Sequence, residues 1–292
     1  MKTVSLIRGE NRRENTLKSL ELLRDEIKEG ITRRQVIIKP NFVSTSIQLA
    51  SSHVDQIRGI LDFLKGFYKG RVLLAEGATL GETEEGFKNF GYHSLIDEYD
   101  VEFLDLNKSP YELIALRNSQ GRSFNVKVSR VLLDKENYLI SAARLKTHDT
   151  VVVTLSIKNI AMGSVLLPDK IKVHQGYKNT NLNITALAQS LWPDLALIDG
   201  LVGMEGDGPI LGEPIDVGVA IASTDPLAAD RVGSEVMGVD FSKIGYLNQL
   251  ADRGLGEGDM KKINIRGEAL KDCVRPFRLH SYVEEQYKWA DR

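Results

Sequence analysis

A single cysteine, Cys273, is all the thiol chemistry this chain has. That excludes an internal disulfide and any iron–sulfur cluster ligated by cysteines of this chain alone. Long apolar runs are missing too, and no window approaches the roughly 18 consecutive apolar residues of a membrane span. The opening MKTVSLIRGENRRENT lacks the apolar stretch of a signal peptide. Neither sign of charge dominates. The 38 basic and 40 acidic residues leave a formal net charge of −2, so no global field recruits nucleic acid or an anionic membrane. There is no GxxxxGK[ST] loop, no GxGxxG after the first expected strand, no HExxH and no GxSxG elbow. The composition points to a soluble, reduced, cytoplasmic chain whose 42% apolar content can fill one large core or two modest ones.

What is there is alternation. Val4–Ile7 and Val36–Ile38 are short branched runs suited to buried strands, and between them Leu17, Leu20, Leu23 and Ile27 recur at helical spacing. A further helix is expected from Ser52, with Asp55 three residues on and Ile57, Ile60, Leu61 and Leu64 turned inward. Residues 72–75 and 101–106 read as strands around a helix at 86–99. This rhythm predicts an α/β fold, a mostly parallel sheet flanked by helices. After Pro110 it changes: two strands around Asn118–Gly121 form an inserted antiparallel hairpin region. Strands at 138–146, 195–199, 215–222 and 261–267 (an edge) and helices at 180–192 and 244–254 complete the pattern. Asp225 as N-cap, Pro226 in the first turn and Gly238 at the end delimit one more helix. Residues 1–110 are expected to form one α/β lobe, and 111–275 a second that shares a sheet or cleft with it. The aromatic tail 276–292 is expected to dock on the body or on a second subunit.

In open parallel sheets ligands sit beyond the carboxyl ends of the strands. The expected exits are Arg8-Gly9-Glu10, Lys39-Pro40-Asn41, Glu76-Gly77, Lys146-Thr147-His148 and Asp199-Gly200. Each alone is an ordinary turn; together they outline a shared cleft. The densest acid–base set is Lys146, His148, Lys158, Asn159 and His174. A lysine in a dry pocket or beside another cation loses proton affinity, and histidine titrates near neutrality. Such a set can hold an anion, shuttle a proton or ligate a metal through its imidazoles. Lys158-Asn159 interrupts apolar neighbours where packing prefers hydrophobes, whereas His174, between Lys172 and Lys178, reads more simply as a loop residue. Lys146, His148, Lys158 and His174 are therefore the candidate catalytic groups, with Lys39, Asn41 and Asn159 as candidate ligand-binding residues.

The stretch GLVGMEGDGPILGEPI (200–215) can bring backbone amides and carboxylates close to a ligand. Gly206 and Gly208 join the candidate ligand-binding set. Glu205 and Asp207, with Glu76 and Asp199, are the candidate oxygen ligands of a divalent metal. A hairpin-like loop with solvated acids is the competing reading. Asp225, at a helix N-terminus, is a further candidate for an anionic ligand.

The ordered series resembles the domain of unknown function 362 family. It comprises Lys39-Pro40-Asn41, Glu76-Gly77, Lys146 with His148, Ser156, Lys158-Asn159, Gly163 and His174. It continues through Asp199-Gly200, Gly203, Gly206, Gly208-Pro209 and Gly212 to Asp225-Pro226, Ala228 and Asp230. The match runs from about residue 36 to 240. The resemblance implies frequent association with ferredoxin-type iron–sulfur modules, and this chain, with one cysteine, carries none. Three functions stay open: a protein or enzyme acting on a small anionic molecule, with or without a divalent metal; a non-catalytic module docking a ferredoxin-type protein; and a structural subunit of a homo-oligomer.

Overall fold

The short branched runs become strands. The computed structural model describes residues 1–32 and 34–290 and contains β1 (Lys2–Arg8), β2 (Gln35–Lys39), β3 (Val72–Glu76), β4 (Val101–Asp105), β5 (Tyr111–Arg117), β6 (Ser123–Ser129), β7 (Asn137–His148), β8 (Val152–Thr154), β9 (Leu195–Glu205), β10 (Glu213–Ser223) and β11 (Ile263–Gly267). The helices before the hairpin are α1 (Arg12–Glu21), α2 (Arg24–Ile31), α3 (Val54–Lys65), α4 (Thr83–Asn89) and α5 (Leu95–Glu98). After it come α6 (Arg130–Leu133), α7 (Ser156–Gly163), α8 (Lys170–Val173), α9 (Gly176–Ser190), α10 (Pro226–Val236) and α11 (Gly245–Asp252). The last helical turns are α12 (Leu270–Cys273) and α13 (Val283–Gln286).

The main sheet runs β11-β1-β10-β9-β7-β2-β3-β4, with β8 paired to β7, and β5 and β6 form a separate antiparallel pair. Along the main order every pairing is parallel except the two made by β10, which runs against β1 and β9. The carboxyl ends of β1, β2, β3, β7 and β9 therefore share one edge. Strands from 1–110 and from 111–275 interleave within this sheet. Alternation along a strand sends successive side chains to opposite faces. Thus Ile37 packs with Leu155, Ile160, Ile184 and Val232, whereas Val36 and Ile38 pack with Leu20, Ile27, Ile57 and Phe87. Each such fully buried aliphatic side chain contributes roughly 1.5–3 kcal/mol.

Several local expectations are corrected. The 17–27 periodicity spans two helices, broken at Leu23 (φ −118°, ψ 12°), which nevertheless stays buried. Ser52 does not cap α3. Its hydroxyl accepts the Asn41 N–H at 2.9 Å and donates to the Ala142 carbonyl at 2.7 Å, and His53 Nδ1 takes the capping role by accepting the Asp55 N–H at 3.1 Å. The expected 86–99 helix is interrupted by Gly91 at φ +76°. Asp225 and Pro226 begin α10 as their chemistry requires, with the Asp225 carboxylate accepting the Ala228 N–H at 3.1 Å. From Pro276 to Ala290 the chain lies on the body, with Phe277 over Gly203 and the Trp289 indole donating to the Lys243 carbonyl at 2.8 Å. Positions 291 and 292 lie outside the described residues. Among the described residues no helix is long and apolar enough to cross a membrane.

Candidate functional site

At the end of β2, Lys39 is fully buried. Its Nζ donates to the Glu76 carboxylate at 2.8 Å, the Pro40 carbonyl at 2.8 Å and the Asn159 side-chain oxygen at 3.0 Å. Asn159 in turn donates to the Lys39 carbonyl and the Ser141 hydroxyl, at 3.2 and 3.0 Å. Gly163 is required here: a Cβ on it would stand 2.1 Å from Lys39 Cε. Nearby, Lys146 Nζ donates to Asn41 Oδ1 at 2.5 Å and to the Ala50 carbonyl at 2.7 Å. Burial lowers the proton affinity of both lysines, and for Lys146 the cations Arg144 and Lys158 lower it further.

Above this floor lies a cavity of about 200 Å³ whose lining includes Asn41, Glu76, His148, Lys158, Asn159 and His174. Lys158 Nζ stands 2.9 Å from His148 Nε2. His148 Nδ1 is 3.0 Å from both an Asp149 carboxylate oxygen and the Thr150 N–H. Burial brings Lys158 down to about 8, and burial together with the Lys158 charge takes His148 down to about 3. Burial would raise Asp149, but hydrogen bonds from His148 and Thr150 hold it below the usual carboxylate range. The His174 ring lies parallel to that of His148, centroids 6.4 Å apart, with its own Nδ1 3.2 Å from the Lys170 carbonyl.

The arrangement is held from behind. β8 delivers the chain into α7, and the buried Asp230 carboxylate of α10 accepts the Ser156 N–H at 2.8 Å, the Ser156 hydroxyl at 2.5 Å and the Ile157 N–H at 3.0 Å. These are the first amides of α7, otherwise unsatisfied at a helix start. Burial pushes Asp230 up to about 7 against those hydrogen bonds. Lys158-Asn159 therefore lies in the first turn of a buried helix, with Ile157 and Ile160 turned to the core.

Other candidates fall elsewhere. Asp199 is buried against Arg12, 2.8 Å away, with Arg144 at 3.7 Å. Glu205 and Asp207 accept the N–H groups of Arg278 and Ser281, at 2.8 and 2.9 Å, and so hold the C-terminal segment. With Glu76 turned to Lys39, the four carboxylates do not converge, and among the described residues no three His, Cys, Asp or Glu side chains group as a metal set. Gly206 takes φ +74°, and a Cβ on Gly208 would meet the Thr147 carbonyl at 2.4 Å. Both glycines serve loop packing, although the Pro209 and Ile210 that follow line the cavity. Asp225 sits at the opposite edge, because β10 runs against its neighbours; its nearest cation is Lys2, at the start of β1.

The cavity also contains residues the sequence reading passed over. Lys170 is buried, lowered to about 8 by burial, and donates to the Gly77 carbonyl. Its spacing of four from His174 was the available signal. Thr154 lines the cavity with a buried hydroxyl that has no partner among the described residues. Nothing in the apolar run before it distinguished that position.

The lactate racemase apoprotein from Thermoanaerobacterium thermosaccharolyticum aligns with a TM-score of 0.48 and 16% identity, over 82% of this chain and 57% of that one. A Thermotoga maritima protein aligns with a TM-score of 0.47 and 12% identity, over 75% and 57%. In sequence, a thylakoid-associated protein from Synechocystis sp. is 27% identical over 182 residues, 60% of this chain and 54% of that protein. The chain thus spans little more than half the length of these relatives. The model of the domain of unknown function (DUF362) matches residues 36–235, and the chain belongs to that family.

Proposed function

We propose that this DUF362 protein binds a small carboxylate or phosphate in the cavity and that Lys158 exchanges a proton with it. The observation that carries this reading is the 2.9 Å contact between Lys158 Nζ and His148 Nε2, the one hydrogen bond of this buried lysine among the described residues. Charge supports it as well. Lys39, Lys146, Lys158 and Lys170 are buried around the site, and the buried carboxylate among them, Glu76, is engaged by Lys39. Uncompensated buried cations are costly, and a bound anion supplies the missing charge. An engineered apolar cavity of about 150 Å³ takes up benzene, so the 200 Å³ here suits a molecule of that order.

The histidine supports a proton relay. While Lys158 is an ammonium, His148 Nε2 accepts from it and Nδ1–H donates to Asp149. Once Lys158 has given its proton to the ligand, the amine is best matched by the other tautomer, with Nε2–H toward the lysine and Nδ1 accepting the Thr150 N–H; that tautomer forms when Nδ1 releases its proton to solvent past Asp149 and Nε2 takes one from solvent that enters the cavity. Passing the Nε2 proton to Lys158 while Nδ1 takes one from the side of Asp149, which is about half exposed, restores the starting state.

Calorimetry at pH 7 with inorganic phosphate and a series of small mono- and dicarboxylates tests the reading. At least one should bind wild type, bind Lys158→Met at least tenfold more weakly, and lose affinity above about pH 8 as Lys158 deprotonates. No binding across the series, or equal binding by Lys158→Met, overturns it.

A further inference from the structure

Val152 is the one described non-glycine residue in the left-handed region, at φ +69°, and it is β-branched and buried. For such a side chain this backbone conformation is strained. The N–H of Val153 bonds back to the Val151 carbonyl at 2.8 Å, closing a three-residue turn around Val152. That turn separates His148 from Thr154 and α7, so it sets the spacing of one cavity wall. Strain of this kind persists only where surrounding structure fixes it.

What fixes it comes from the far end of the chain. The Val152 N–H donates to the side-chain oxygen of Gln286 at 2.6 Å, and Gln286 is fully buried. The same segment grips the glycine-rich loop: Gly206 N–H donates to the Arg278 carbonyl at 2.6 Å, while Glu205 and Asp207 accept the amides of Arg278 and Ser281. That loop carries Pro209 and Ile210 into the cavity. Two walls that are remote in sequence are thus tied to one strap.

We infer that the segment from Pro276 to Ala290 is a clasp that sets the geometry of the cavity, with Gln286 as the positioning residue that holds Val152 in its left-handed turn. The inference rests on the anion site proposed above for its consequence and on the backbone contacts for its existence. Without the Gln286 acceptor, the turn relaxes toward ordinary φ, and His148 and Lys158 lose their register. The residue touches neither cavity nor ligand, so its effect passes through Val152.

Hydrogen exchange followed by mass spectrometry on the full chain separates the two claims. In Gln286→Leu, peptides covering 149–159 should exchange about tenfold faster, the factor expected when a buried amide loses its acceptor. Gln286→Glu keeps an acceptor oxygen and should stay closer to wild type. Asp207→Ala, at a half-exposed carboxylate, should loosen 205–212 and leave 149–159 protected. Phosphate and small carboxylates, which should bind wild type, should bind Gln286→Leu at least tenfold more weakly. The clasp is overturned if 149–159 exchanges in Gln286→Leu as in wild type, or if Gln286→Leu binds these anions as wild type does. If wild type binds none of them, the ligand reading fails, and the exchange result alone decides for or against the clasp.

Discussion

Lys39 and Lys158 are buried at the same edge of the sheet, one closing β2 and one in the first turn of α7, and their surroundings differ in kind. Lys39 reaches three oxygens, one of them a carboxylate, at 2.8 to 3.0 Å. Lys158 reaches one imidazole nitrogen and faces open space. Burial alone therefore does not mark a functional lysine. A cation whose hydrogen bonds and charge are satisfied by the fold is scaffold, and one left unsatisfied beside a cavity is available to a ligand.

The sharpest way to break this comparison is to remove each lysine in turn. Lys39→Met leaves Glu76 buried without its counter-charge and should destabilise the protein by about 3–5 kcal/mol in urea denaturation. Adding Glu76→Gln should recover part of that loss, since the stranded charge is gone. Lys158→Met strands no carboxylate and should be neutral or stabilising. Equal losses in the two variants would erase the distinction.

Two smaller effects sharpen it. Gly163→Ala forces a methyl onto the Lys39 side chain and should cost roughly 1–3 kcal/mol, with a smaller loss in a Lys39→Ala background, where the Cε and Nζ that the methyl would meet are gone. Asp230→Ala removes the acceptor for the first amides of α7 and should cost about 1–2 kcal/mol. The same change should weaken anion binding, because the turn it frees carries Lys158. Thermal denaturation with and without phosphate reads both.

Much of this site was legible beforehand because its signals are local. A lysine closing a branched run, or a Lys-Asn pair set among apolar residues, conflicts with packing preference wherever the chain goes next. Strand direction is not local in that way. The glycine-rich stretch joins β9 to β10 with Glu205 paired to Glu213, so it is a hairpin and β10 reverses. That reversal carries Asp225 to the far edge, while Glu205 and Asp207 meet a segment some seventy residues further on. Distant partners of this kind leave no mark on the residues around a carboxylate. The break between α1 and α2 is similar: the leucine spacing is helical on both sides of Leu23, and its backbone departure shows only in three dimensions.

The smallest expected effect is the pH dependence of stability. Burial lowers Lys158 and Lys170 to about 8 from an ordinary 10.5. Their folded-state affinity for protons is below that of the unfolded chain, so the unfolded state binds more protons in this interval and stability rises with pH between about 8 and 10.5. Around Lys158 the charged neighbours are Lys146, His148, Asp149, Lys170 and His174; the histidines are neutral across this range and Asp149 stays ionised, so the lysines dominate the slope. Wild type should therefore gain in melting temperature on going from pH 8 to pH 9.5. Lys158→Met should flatten the gain. Saturating phosphate should flatten it too, since a bound anion restores the proton affinity of the lysines. A slope of the same size in wild type and Lys158→Met would mean that Lys158 contributes none of it and that Lys170 and the other buried lysines carry it, and Lys158 would no longer stand apart as the cation the fold leaves uncompensated.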